Sequence, residues 1–236
     1  MVRIEKLISL KTRLSRTEIK KKIAQGFVLV NDLKAKHGQK VNFGDKLIID
    51  NQEIDTNEFS YYVFNKPLGL VCSHEDKYNQ TIYDYLDFLP KNVQSFGRLD
   101  KDTSGLLILS DDTKLLHELL NPKKHVKKTY YVKTDKEIKL EDLESFCNQG
   151  VNINNEYIAK AIAFETLSSN ECYLTIDQGK YHQVRRMFKA KNLKVIKLER
   201  TNFANLSLQN LNLKAGEWRR LESFEILALK EKRTNH

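Results

Sequence analysis

The chain of 236 residues contains no long apolar run. Its uninterrupted apolar stretches end after a handful of residues, far short of the roughly 20 that a membrane-spanning helix needs. The opening residues, Met1-Val2-Arg3-Ile4-Glu5-Lys6, carry charge every few positions and lack the apolar middle of a secretory leader, so a cytoplasmic protein without membrane contact is expected. Cysteine is scarce. Cys72, Cys147 and Cys172 are odd in number, far apart and without paired spacing, which argues against a disulfide framework or a zinc site and for three reduced, packed thiols. His74, His117, His125 and His182 show no ligand spacing, and a lone histidine is more often a hydrogen-bonded structural residue. Internal repeats and low-complexity tracts are lacking too. What is left is an ordinary globular composition, 40% hydrophobic and 30% charged, with length for one large domain or a small one joined to a larger one.

The N-terminus is short of acidic charge. Residues 1–49 hold twelve Lys and Arg against four Asp and Glu, while the remainder is nearly balanced at 28 against 27, so most of the formal net charge of +9 sits in the first fifth of the chain. A concentrated basic module on a neutral body suggests an attached polyanion-binding unit. Leu7, Ile8, Leu10 and Leu14 give a first helix its buried side, and Ser15-Arg16-Thr17-Glu18 has the form of a capping box that starts a second helix. Arg16, Lys20, Lys21 and Lys22 cover much of that helix, and Gly26 stops it. A strand at Phe27–Val30, a turn at Asn31-Asp32 and a strand pair between Val41 and Ile49 follow. Residues 50–60 read as a polar linker.

Beyond the linker, Tyr61–Val71 reads as strand, Lys-Pro-x-Gly turn and strand. Helices are expected at Ile82–Leu89, Lys114–Leu120 and Leu140–Gln149, with Asn121-Pro122 ending the second. Lys123, Lys124, His125, Lys127 and Lys128 form a second basic patch. Thr129–Val132, Tyr157–Phe164 and Glu171–Ile176 read as strands, Gly179–Phe188 opens a helix, and the last third, including Phe224–Leu227, reads as short strands and turns.

Between these elements Gly97-Arg98-Leu99-Asp100-Lys101-Asp102-Thr103-Ser104-Gly105 is a charged, glycine-bracketed turn running straight into the buried-strand pattern Leu106–Leu109. A solvated turn looks the same; rigid attachment to a buried strand is what would suit it to chemistry. Asp100 and Asp102 are a poor carboxylate pair for glycoside hydrolysis, which needs two carboxylates on opposite sides of a bond, roughly 5 to 10 Å apart. The turn also lacks the closing Gly-Lys-Ser/Thr of a phosphate loop.

Two resemblances organise these segments. Ser15-Arg16, the basic helix, Gly26-x-Val28-x-Val30-Asn31 and Gly44-Asp45 resemble the S4 RNA-binding domain. A helix-turn-helix DNA reader fits less well because strands follow the second helix at once. Asn65-Lys66-Pro67-x-Gly69, Gly97–Leu107, Lys128-Thr129-Tyr130 and Gly179–Phe188 resemble, in order, the motifs of the pseudouridine synthases that carry an N-terminal S4 domain. Gly-Lys-Tyr-His-Gln at 179–183 looks most like the branch acting on small-subunit (16S) rRNA. The resemblance implies an α+β fold: a small S4-like domain and linker at 1–57, a catalytic domain with a mixed, mainly antiparallel β-sheet flanked by helices at 58–229, and a frayed tail at 230–236. It implies redox-neutral chemistry without metal or cofactor, with rRNA as partner, free or in a ribosomal assembly intermediate, and a monomeric enzyme. Asp100 corresponds to the catalytic aspartate, Arg185 to its basic partner and Tyr130 to the tyrosine lying against the uracil. Strand alternation lets only one of Tyr130 and Tyr131 face the cleft, and the Lys-x-Tyr spacing of the motif selects Tyr130. Arg98, Lys128, Lys180, His182 and Gln183 are expected to hold the flipped nucleotide, and Arg3, Arg16, Lys20 and Lys21 to contact RNA phosphates. Asp102, Thr103 and Ser104 are expected only to shape the turn. A large-subunit (23S) target, or an RNA-holding assembly factor without activity, are the competing readings. Phe203-Ala204 departs from the Ile-Gly usual in the family after Leu198-x-Arg200.

Overall fold

The computed structural model describes residues 1–231. Residues 232–236 of the expected tail lie outside the described residues, and Lys230 ends a helix instead of starting that tail.

The N-terminal part forms as its local signals dictate. The helices Ile4–Lys11 and Arg16–Ala24 bury Ile4, Leu7, Ile8, Ile19 and Ile23. The capping box closes in both directions: Glu18 N–H donates to Ser15 Oγ at 3.3 Å, and Ser15 N–H to Glu18 Oε2 at 2.7 Å. Two tight hairpins follow. Asn31 and Asp32 (φ 49° and 65°) join Val28–Val30 to Leu33–Lys34, and Asp50 and Asn51 (φ 50° and 66°) join Leu47–Ile49 to Gln52–Ile54, the two-residue turn chemistry that matches strand twist. The expected pairing of Val41 with Ile49 is corrected: Lys40–Val41 pairs with Val2–Arg3, and Leu47–Ile49 with Val28–Val30. Val28, Val30, Val41, Leu47 and Ile49 complete a core that residues beyond 54 do not enter.

The rest is built on one large sheet. Its order runs Ala163–Ser168, Glu171–Ile176, Lys128–Thr134, Val195–Phe203, Ser104–Ser110, Tyr61–Lys66, Trp218–Arg220. Adjacent strands on this path are antiparallel except Val195–Phe203 beside Ser104–Ser110, which are parallel, so the sheet is mixed and mainly antiparallel as expected. Tyr61–Lys66 and Leu106–Leu109 are buried on both faces and accordingly read as continuous apolar runs. One face carries Phe64, Leu107, Tyr130, Val132, Leu174 and Leu198 in a core closed by the helices Leu140–Asn148 and Gln183–Lys189. The other carries Val63, Leu106 and Ile108 under the helices Thr113–Leu120 and Ser223–Lys230.

Three expectations are corrected here. Phe224–Leu227 is helical, Tyr157–Phe164 splits into Tyr157–Ala159 and the strand from Ala163, and the helix at Ile82 ends at Tyr85. Cys72 and Cys172 are buried, Cys147 is half-buried, and burial pushes the Cys172 thiol up to about 12.

Buried polar contacts tie the N-terminal part to the sheet. The Lys11 ammonium pairs with Asp111 at 3.2 Å and donates to Ser60 Oγ at 3.1 Å, while Arg13 donates to the carbonyls of Leu89 at 2.8 Å and Tyr83 at 3.2 Å. Arg220 is paired with Asp55.

Candidate active site

Asp100 sits half-buried on the turn that leads into Ser104–Ser110, and the turn is fixed from below by Asn65–Cys72. Lys66, fully buried at the end of its strand, donates to the carbonyls of Thr103 at 2.9 Å and Pro67 at 3.0 Å. Gly69 N–H donates to Lys101 O at 2.8 Å, and Cys72 Sγ lies 3.4 Å from both Leu99 N and Leu99 O. Anchors at Leu99, Lys101 and Thr103 leave the Asp100 side chain on a backbone with little freedom. Burial pushes the Lys66 ammonium below its ordinary value, opposed by Cys72, Asp100 and Asp102 nearby.

Glycine is required where the turn meets the sheet. A Cβ on Gly105 (φ 108°) would lie 2.4 Å from Arg200 O, because Gly105 is the point at which the parallel strands meet. Arg200 is itself buried: Nε donates to Leu106 O at 2.8 Å, and the guanidinium lies 5.1 Å from the Phe203 ring.

Opposite the turn stands the N-terminus of Gln183–Lys189. His182 precedes the helix in a left-handed conformation (φ 49°), stacks on Tyr181 at 4.0 Å and places Nε2 3.3 Å from Asp100 Oδ1. The expected Arg185–Asp100 pair is not what this arrangement shows. Arg185 donates instead to Asp102 O at 2.7 Å and Val195 O at 3.0 Å, with its Nη2 3.0 Å from Asp102 Oδ2. Asp102, the more exposed of the two carboxylates, holds the guanidinium that the resemblance assigned to Asp100. Asp102 thus does more than shape the turn, and Thr103 Oγ1 makes no hydrogen bond among the described residues.

Tyr130 is buried and shares its core with Leu99, Val184 and Met187, on the side of the Asp100 turn and the helix; Tyr131 points the other way. Arg98 is exposed beside Asp100. Lys128 donates to Val126 O at 2.8 Å, and its Cε lies 3.7 Å from where a Gly179 Cβ would stand. The Lys180 ammonium lies 3.7 Å from the Tyr157 ring centre. Gln183 is buried and accepts from Lys180 N–H at 3.1 Å, which makes it a brace for its own turn, while its Nε2 has no partner among the described residues. The structure therefore gathers Asp100, Arg98, His182 and Arg185 around one turn, sets Tyr130 in the adjoining core, and gives Lys180 and Gln183 local work. Arg3, Arg16, Lys20 and Lys21 lie exposed on the separate N-terminal part. Sequence reasoning gave Lys66 no role beyond its place in a motif and Asp102 none beyond shaping the turn. Lys66 was legible as a lone cation ending a buried apolar strand; Asp102 carried no signal for its partner.

Residues 60–190 match the family model described as RNA pseudouridylate synthase. The chain belongs to that family. Among pseudouridine synthases, the chain is 36% identical to the ribosomal small subunit pseudouridine synthase A of Pasteurella multocida over 95% of this chain and 98% of the other. It is 36% identical to the uncharacterized RNA pseudouridine synthase YtzG of Bacillus subtilis over 98% of this chain and 99% of the other. A crystal structure of a pseudouridylate synthase superposes with a TM-score of 0.68 at 33% identity, covering 97% of this chain and all of the other. The Asp100 turn, its Asn65–Gly69 cradle, the Tyr130 strand and the His182 helix all lie within the matched residues.

Proposed function

We propose that the protein converts one uridine of small-subunit ribosomal RNA to pseudouridine, residues 1–57 forming an S4-like docking domain and residues 58–229 the catalytic domain. The observation that carries the reading is the Asp100 turn, pinned at Leu99, Lys101 and Thr103 and faced by the helix start that brings His182 and Arg185 to it. The relatives named for the small subunit match over nearly the whole chain, which favours that RNA as the target. The enzyme is taken to act as a monomer in the cytoplasm, on rRNA alone or in an assembly intermediate.

The isomerisation breaks the N1–C1′ bond of uridine, turns the uracil and joins C5 to C1′; the C5 proton leaves and N1 gains one, so no electrons are exchanged. Asp100 acts as the carboxylate that attacks the ribose or the base. Its rigid seat means that little reorganisation is needed when the nucleotide arrives. Arg98 holds the nucleotide out of its stack, and Tyr130 supplies a ring against the uracil and a hydroxyl for the C5 proton. Arg185 is within one helical turn of His182, so exchange of Asp102 for Asp100 would bring the guanidinium to the carboxylate on RNA binding.

In Asp100→Asn the turn's backbone contacts remain. Binding of a small-subunit rRNA transcript should therefore be preserved, while pseudouridine mapped by carbodiimide modification and primer extension falls below detection. Product at the wild-type level would overturn the assignment, and product in 23S rRNA alone would reassign the target.

A further inference from the structure

The sheet face opposite Tyr130 is only half covered. Helices close it over Tyr61–Lys66 and Ser104–Ser110, but over Lys128–Thr134, Glu171–Ile176 and Val195–Phe203 it opens into a cavity of about 820 Å³. Tyr131 and Tyr173 form its floor as directly opposed cross-strand residues, ring centres 6.1 Å apart at 68°, and Lys197 stands 5.0 Å from the Tyr131 ring. Most of the remaining lining is neutral and hydrogen-bonding, as at Thr201 and Asn202. Asn65, only 5% exposed, also lines it: its amide nitrogen donates to Leu213 O at 2.9 Å, and its Oδ1 has no partner among the described residues. An adjoining cavity of about 510 Å³ shares Thr129, Thr175 and Asn202 and ends at His125 and Lys127.

That end carries the part of the basic patch, Lys123 to Lys127, for which the catalytic reading has no use. Asn121 caps the turn Pro122–Lys124, and His125 (φ 48°) reverses the chain, leaving Lys123, Lys124 and Lys127 exposed and, among the described residues, outside any ion pair. The acids nearby are mostly spent: Asp177 on His125 at 2.7 Å, Glu171 on Lys133 at 2.9 Å, Glu199 near Lys197 at 3.5 Å. Among the described residues Glu165, at the outer strand, is the lining acid outside any ion pair, which makes the Lys127 end of the groove the more positive one. Aromatic floor, neutral hydrogen-bonding walls and a cationic rim are together the chemistry that takes unpaired nucleotides. A folded protein partner would find only a small apolar area here, beside three lysines outside any ion pair among the described residues.

We propose that this face is a second RNA-binding surface, in which a single-stranded segment flanking the target uridine lays bases over Tyr131 and Tyr173 and phosphates along Lys123, Lys124 and Lys127. The proposal rests on the synthase reading for the identity of the RNA, but its test needs no turnover. The full chain is titrated with a small-subunit rRNA transcript and with a ten-nucleotide oligouridylate over a range of salt. In Lys123→Glu/Lys124→Glu/Lys127→Glu, affinity for both probes should fall about tenfold or more and the slope of log K against log salt should flatten by about two. In Tyr131→Ile, which removes the ring and keeps a strand-favouring apolar residue, affinity should fall about tenfold with the salt slope unchanged. Ultraviolet crosslinks from the oligouridylate should map to Tyr131 or Tyr173, and turnover at saturating transcript should match wild type in both variants. Unchanged affinity and slope in the charge-reversed variant would overturn the proposal. So would a wild-type dimer that the same substitutions dissolve, or a protein crosslinked to Tyr131 in place of RNA. If wild type modifies no rRNA while the binding losses occur, the synthase reading fails and the groove stands.

Discussion

Ala204 holds a left-handed backbone conformation (φ 54°) as the first residue of the two-residue turn between Val195–Phe203 and Leu206–Ser207, with its N–H donating to Lys127 O at 3.0 Å. That conformation costs an L-residue roughly 1–2 kcal/mol and glycine almost nothing. The freer unfolded chain of a glycine variant offsets part of the gain. Ala204→Gly should therefore stabilise the protein by about 1 kcal/mol, raising Tm by about 2–4 °C in a thermal scan; a lower Tm would show that the turn carries no strain. At this scale the sequence was informative wherever one residue type has one use. Asp100, Gly105 and Asn65-Lys66-Pro67 lie together as expected. Partner choice was not legible: Asp100 and Asp102 both lie on the turn within two residues of each other, and only the approach of helix to turn decides which carboxylate the largely buried Arg185 meets.

The elements read correctly were those with chemistry at their ends. The Ser15–Glu18 box, the Asn31-Asp32 turn and the stop at Asn121-Pro122 each act within a few residues, whereas Asp50-Asn51, read as the start of a linker, turns the chain into the strand Gln52–Ile54. Strand pairing is decided by distant partners, hence the misassignment of Lys40–Val41. The helix Ser223–Lys230 was missed because its start is a Glu222–Glu225 box in place of a Ser or Thr, and its apolar run fits either period. Its stability depends on Glu225, buried and held by both arms of Arg219 at 2.7 Å each. This pairing, and the backbone N–H of Glu222, hold the Glu225 carboxyl below the ordinary glutamate value despite burial. A depressed carboxyl contributes its stability above the unfolded pKa and loses it as pH falls through the folded one. Glu225→Gln should cost about 1–2 kcal/mol at pH 7, after allowance for the partly exposed arginine. In urea titrations from pH 7 to pH 3 the gap between variant and wild type should stay constant down to the ordinary value near 4.5 and close below it. A gap that widens toward acid would contradict the assignment.

For the whole molecule, the charge asymmetry was legible in the sequence but its division of labour was not. Two of the twelve N-terminal cations, Lys11 and Arg13, bind the large sheet unit, with the Lys11 side chain 2% exposed against Asp111. Lys22 and Lys46 are paired within the N-terminal part, whereas Arg3, Arg16, Lys20 and Lys21 face outward. Deleting residues 1–50 would therefore remove the proposed RNA contacts and also strand Asp111 as a buried carboxylate without its cation, a loss on the order of 3 kcal/mol that would masquerade as weak binding. Reversing charge on the outward set separates the two effects. Arg16→Glu/Lys20→Glu/Lys21→Glu should leave Tm within about 2 °C of wild type, since exposed charges away from partners contribute little to stability. It should also weaken binding of a small-subunit rRNA transcript and flatten its salt slope by about three, one counterion release for each phosphate that the variant no longer neutralises. An unchanged slope would mean that the N-terminal unit is docked on the catalytic unit for some purpose other than holding RNA.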